Sequence, residues 1–265
     1  MYGMQYIQQT IVGIDGSEAR FFGYVADNSE EMEPDRIRPA ILILPGGGYA
    51  MTSDREAEPV ALQFLAKGFA VFVLRYSVQP SRYPVALLEA AEAMRLIRAN
   101  ADQWHVNPAQ VAVLGFSAGG HLAANLATSV GDEDIREQGG IDPDAVRPNA
   151  LMLSYPVITA GKYAHRGSFE QLAGDDMEKQ QAFSLETLVS PDMPRTFLWH
   201  TLTDETVPVE NSLLLEKSLR RVGVSHEMHL FPHGVHGLAL ADMETSDIEK
   251  GRLPDRHIAR WQALR

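Results

Sequence analysis

The sequence predicts an α/β chain in which a mostly parallel, eight-stranded sheet is covered by helices on both faces. Three observations carry that expectation. Short apolar, strand-like runs recur along the whole chain. From the third run onward, helix-length segments separate them. The third, fourth and fifth runs are almost wholly apolar, as parallel strands buried on both faces must be. In chain order, residues 4–11 and 19–25 alternate more and read as an antiparallel edge pair. Residues 40–44, 70–76 and 111–116 are the central strands, and 150–155, 195–201 and 225–231 extend the sheet. Helices are expected over 55–67, 84–103, 117–130, 209–222 and near 255–264. Within 85–98, Leu88, Ala91, Met94 and the Leu96/Ile97 pair recur at helical spacing.

Two stretches break this rhythm. Residues 131–147 are acidic and rich in turn formers, and 159–194 hold weak helical pieces among Gly, Asp and Pro. Both are read as following strands at the edge where open α/β sheets bind ligands, which makes them candidate cap or pocket insertions. A solvated loop is the favoured reading of the first, while loop and pocket wall stay open for the second.

The 265 residues suit one large α/β domain, and 45% hydrophobic content is enough for a full core. A net charge of −12 argues against nucleic acid or an anionic membrane as partner. There are no cysteines, hence no disulfide, thiolate metal site or cysteine nucleophile. No signal peptide is visible at the start and no run is long and apolar enough to span a bilayer, so a cytoplasmic setting is expected.

The chemistry centres on Gly115-Phe116-Ser117-Ala118-Gly119, set between an apolar strand and a small-residue helix. That context makes a nucleophile elbow of the pattern, with Ser117 at a tight turn and the positive helix end behind it. A serine hydroxyl needs a base, an orienting acid and donors for the oxyanion. His236, after the last strand, is the preferred base, with His233 its nearest rival. His226 and His229 fall inside a strand, and His121 on the elbow helix reads as a packed histidine. Asp204, after the seventh strand, is the preferred acid, with Glu205 able to substitute; Asp192 precedes the strand, at the wrong end. The Pro45-Gly46-Gly47-Gly48-Tyr49 run lets backbone amides approach a ligand, so Gly47 and Gly48 are oxyanion candidates together with the amide of Ala118. A phosphate loop fits poorly, since no Lys-Ser/Thr follows.

Taken together, Gly-Gly-Gly-Tyr (46–49), Gly-Phe-Ser-Ala-Gly-Gly-His (115–121), Asp-Glu-Thr-Val-Pro (204–208) and His-Gly-Val-His-Gly (233–237) resemble the α/β-hydrolases of the esterase/lipase group. Within that group the pattern resembles the hormone-sensitive-lipase-like bacterial carbohydrate acetylesterases. The resemblance implies an α/β-hydrolase fold with a small cap, and a Ser117-His236-Asp204 triad. Pro45 stands where the lipase-type motif begins with His. A small cap implies a shallow pocket for short acyl groups on a polar alcohol. Tyr49 is a candidate substrate-binding residue; Tyr49, Tyr76 and Tyr155 can line a pocket, though packing is the commoner role of a tyrosine at a strand end.

The expected function is therefore a serine carboxylesterase acting on acetyl esters of carbohydrates, with no cofactor or metal and a small-molecule ester as partner. An amide hydrolase of the same fold, arylformamidase-like or a small peptidase, is the alternative. A binding module that has lost catalysis is the third reading, and a homo-oligomer stays open.

Overall fold

A computed structural model describes residues 3–256, 258 and 259. Among them, eight strands form one sheet in the order β1-β2-β4-β3-β5-β6-β7-β8. They are β1 Met4–Val12, β2 Glu18–Ala26, β3 Arg38–Leu44, β4 Ala70–Arg75, β5 Val106–Phe116, β6 Ala150–Ser154, β7 Arg195–Thr201 and β8 His226–Phe231. β2 pairs antiparallel with both β1 and β4, and every other neighbouring pair is parallel. The helices are α1 Glu58–Leu65, α2 Val85–Ala99, α3 Ser117–Ser129, α4 Glu133–Gly139, α5 Pro143–Val146, α6 Arg166–Ala173, α7 Met177–Gln181 and α8 Glu210–Val222.

The pleat explains why β3 is apolar from Ala40 to Leu44. Ala40, Leu42 and Leu44 join one core, with Leu87 and Met94 of α2 and Leu122 and Leu126 of α3. Ile41 and Ile43 point the other way, into a core shared with Val60 and Ala61 of α1 and with Ile258. β1 has a partner on one side only, and its side chains are mostly exposed.

Element boundaries depart from expectation where a local residue or a tertiary partner intervenes. The helix expected over 55–67 starts only at Glu58, because Pro59 lacks an amide hydrogen and belongs in a first turn; Asp54–Glu56 is a separate 3-10 turn. α2 stops at Ala99, where Asn100 Nδ2 donates to Leu96 O at 2.8 Å. β5 begins five residues before the apolar run at Val111, since Val106 pairs with Arg38 and the Arg38 amide reaches His105 O at 2.8 Å. Most of the helix expected near 255–264 lies outside the described residues. No helix among the described residues is long and apolar enough to cross a membrane.

The two irregular stretches part company. Residues 131–147 form α4 and α5, capped by the carboxylates of Asp132 and Asp142. They connect the far end of α3 to the start of β6, tied down by Arg98, whose Nη1 and Nη2 reach Ala145 O and Arg147 O at 2.7 Å. That places them at the amino ends of the strands, opposite Ser117, which fits the favoured surface reading and not the alternative of a pocket insertion. Residues 159–194 leave from the carboxyl end of β6. They carry α6 and α7, with Ala160 and Phe169 closing on Val157 and Val207 in a small apolar cluster of their own.

Candidate active site

β5 ends at Phe116 and α3 begins at Ser117 with no residue between them. The turn holds Ser117 at φ 51°, a left-handed conformation that L-residues rarely adopt. It also brings α3 hard against β3. A Cβ on Gly119 would sit 2.1 Å from Leu44 O and 2.5 Å from Pro45 O. On the facing loop, a Cβ on Gly46 would sit 2.8 Å from Ser117 Cβ. Both glycines are required because backbone passes where a side chain would stand.

His236 Nε2 lies 2.8 Å from Ser117 Oγ, and His236 Nδ1 lies 2.7 Å from Asp204 Oδ2. An ionised carboxylate can only accept, so Nδ1 carries the hydrogen and Nε2 is left to receive the serine proton. Asp204 Oδ1 accepts the amides of Thr206 and Val207, each at 2.9 Å. Oδ2 is also 3.3 Å from His200 Nε2, a buried imidazole held by Val207 O and Ser212 Oγ. Burial alone would push Asp204 up. The hydrogen bonds from His200 and His236, the His236 charge and the Val207 amide outweigh it and hold the carboxyl well below the usual range.

The loop carrying His236 is held from several sides. Thr201 Oγ1 donates to Gly234 O at 2.9 Å, Arg252 Nε to His236 O at 2.9 Å, and Arg55 Nη1 to Gly237 O at 2.7 Å. The Tyr155 ring meets the imidazole edge-on at 5.1 Å. The Tyr155 hydroxyl donates to Glu56 Oε1 and accepts the Ala239 amide, both at 2.8 Å. Glu56 Oε2 accepts the Gly46 amide, also at 2.8 Å. One buried carboxylate therefore ties the glycine loop to the histidine loop. Tyr76 Oη adds a bond to Pro45 O at 2.7 Å, anchoring the residue that replaces histidine in the loop motif.

Gly47 and Gly48 lie on this loop, and their amides make no backbone hydrogen bond among the described residues. Ala118 is the second residue of α3, where an amide has no partner within its own helix. Tyr49 is different. Its side chain is 3% exposed, and its hydroxyl is bonded to His121 Nδ1 at 2.9 Å. It packs beneath the loop, which corrects its expected place in the substrate site. Tyr76 and Tyr155 are equally buried, so packing is the role of all three. His121 is fully buried, its Nε2 donating to Phe183 O at 3.0 Å. His233 and Glu205 are exposed and stand outside the Ser117-His236-Asp204 hydrogen bonds.

Residues 28–219 match the BD-FAE family model. The chain belongs to the BD-FAE family. The match takes in Ser117 and Asp204 and ends before His236. Endo-1,4-beta-xylanase B of Butyrivibrio fibrisolvens is 35% identical over 84% of this chain and 36% of its own length. The acetylxylan esterase of Xylanibacter ruminicola is 30% identical over 75% of this chain and 40% of its own. The chain thus spans about two fifths of the length of these curated relatives. Among solved structures, the acetyl ester-xyloside bifunctional hydrolase of Caldicellulosiruptor lactoaceticus is 37% identical, covers 92% of this chain and 87% of its own, and superposes with a TM-score of 0.75. The carboxylesterase Cest-2923 of Lactobacillus plantarum is 29% identical over 98% of this chain and 95% of its own, with a TM-score of 0.86. The sheet and its helices are those of an α/β-hydrolase.

Several residues of this BD-FAE site were not legible in sequence. Glu56 sits in the charged run Asp54-Arg55-Glu56, which reads as a solvated turn, yet it is 4% exposed. His200 lies inside a strand four residues before Asp204, a spacing that means nothing until the strand ends and the chain turns back. His165, whose Cε1 comes 3.9 Å from where a Cβ on Gly48 would stand, lies in the irregular 159–194 stretch, where no pattern marks it.

Proposed function

We propose that this chain is a serine esterase that hydrolyses short acyl esters, acetyl esters of carbohydrates foremost, through an acyl-enzyme. The observation that carries the reading is the unbroken hydrogen-bonded path from Ser117 Oγ through both nitrogens of His236 to Asp204. Ser117 Oγ attacks the ester carbonyl while His236 Nε2 takes its proton, and Asp204 stabilises the imidazolium without taking the proton itself. The amides of Gly47, Gly48 and Ala118 receive the negative oxygen that develops. When the tetrahedral adduct collapses, His236 returns the proton to the departing alcohol. Water, deprotonated by the same imidazole, then releases the acid and restores Ser117. The carbohydrate acetyl ester is supported by relatives named for acetylxylan and acetyl ester-xyloside hydrolysis. The 159–194 stretch is the proposed pocket wall, because α6 starts beside Gly48.

The test is p-nitrophenyl acetate hydrolysis by wild type and Ser117→Ala, with circular dichroism to establish folding and a fluorophosphonate probe to label the nucleophile. Wild type turns over and is labelled at Ser117; the folded variant does neither. Turnover retained in Ser117→Ala overturns the reading. Faster cleavage of N-formylkynurenine than of the acetyl ester would move it to an amide hydrolase.

A further inference from the structure

His165 lies at the site without belonging to the three hydrogen-bonded residues. Its Cε1 is 3.9 Å from where a Cβ on Gly48 would stand, which sets the ring beside the loop expected to hold the carbonyl oxygen. It immediately precedes α6, yet its side chain makes no capping bond to that helix. Its Nδ1 instead meets Ser168 Oγ at 2.8 Å. Ser168 is buried, and Nδ1 is the only partner its hydroxyl has among the described residues. A buried hydroxyl with one partner, a ring nitrogen, gives its hydrogen to that nitrogen. The ring proton then sits on Nε2, which has no partner among the described residues. Burial, and after it the nearby His236 charge, hold His165 below the ordinary imidazole range, so the ring is a neutral donor at neutral pH.

The segment that presents this donor is held in place. Asn211 Oδ1 accepts the amides of Ile158 and Thr159 at 2.9 and 3.0 Å, and its Nδ2 donates to Tyr163 O at 2.9 Å. Arg166 donates to Ala160 O and Gly161 O, both at 2.7 Å. These bonds fix the backbone leading into His165, and the Ser168 amide donates to His165 O at 3.0 Å on the other side, so the imidazole is presented ready-oriented. An acetyl group offers no hydrogen-bonding atom beyond its carbonyl oxygen, which the loop amides take. The bridging oxygen is served by His236. A further donor can find an acceptor only in the alcohol part of the ester.

We propose that His165 is a substrate-binding residue whose Nε2–H donates to a hydroxyl or ring oxygen of the alcohol moiety, selecting esters of polyols over esters of apolar alcohols. The assignment rests on the esterase reading given above. It is tested by measuring kcat and KM for wild type, His165→Gln and His165→Phe on p-nitrophenyl acetate, whose alcohol has no hydroxyl, and on a mono-acetylated methyl xyloside. In His165→Phe the ratio of xyloside to p-nitrophenyl kcat/KM should fall about five- to tenfold, the worth of one hydrogen bond, with the loss in KM rather than kcat. His165→Gln, which keeps a donor, should recover part of that ratio. A fall of equal size on both esters, or an unchanged ratio, overturns the assignment while leaving the esterase reading standing. A wild-type protein that cleaves p-nitrophenyl acetate but not the xyloside overturns the carbohydrate substrate and the role of His165 together. A wild-type protein that cleaves neither overturns the esterase reading itself.

Discussion

Asp204 is surrounded by donors: two backbone amides on one oxygen, and His236 and His200 against the other. Under the proposed mechanism this keeps it ionised and keeps His236 in the tautomer that can accept from Ser117. Asp204→Asn would put an amide opposite Nδ1 and favour the wrong tautomer, so kcat should fall by roughly 10⁴ with little change in KM, as steady-state kinetics would report. Tyr155 tests the support of the site. Burial, and after it the Glu56 charge, push its phenol well above the usual range, so it stays a donor to Glu56. Tyr155→Phe keeps the ring against His236 but strands Glu56 Oε1. Urea unfolding should show a loss of about 1–3 kcal/mol, the cost of a buried polar group left unpaired. That Ser117, His236 and Asp204 come together was legible in sequence because each follows a strand, at one edge of the sheet. Glu56, His200 and His165 were not, because each matters only through a neighbour distant in sequence or across a turn.

Among the elements, the elbow is the least forgiving. Gly119→Ala would drive a methyl group into the backbone carbonyls of Leu44 and Pro45, and neither can rotate aside. β3 and α3 would have to separate, which should cost about 3 kcal/mol or more and misplace Ser117 together with the glycine loop. Thermal unfolding and p-nitrophenyl acetate turnover should therefore fall together, unlike Ser117→Ala, where turnover alone is lost. The strands were readable because burial on both faces forces apolar runs, as in 40–44 and 70–74. Their ends were less so. Pro59 delayed α1 for a local reason that the sequence contained, whereas β5 gained Val106 from pairing with Arg38, a contact that no local pattern announces.

On the scale of the whole molecule, His121 joins three separate parts: α3, the glycine loop through Tyr49, and the 159–194 stretch through Phe183. Burial pushes its imidazole from 6.5 down to about 4. Between those values the unfolded chain binds a proton that the folded chain refuses, so stability rises with pH across the window and is lost on acidification. The loss should approach about 3 kcal/mol between neutral pH and pH 4, measured by denaturant unfolding, and His121→Gln should flatten that dependence. The sequence alone determined the alternation of strand and helix, the elbow and the side chains that gather around it. Those follow from local demands: apolar runs for burial on both faces, glycines for close approach, and reactive side chains in loops after strands. Only the tertiary structure decided that β4 lies between β2 and β3, that 131–147 sits at the end remote from Ser117, that Tyr49 turns inward, and that Glu56 bridges two loops. These depend on which distant segments share a buried space, and burial rewards any good partner wherever it lies in the chain.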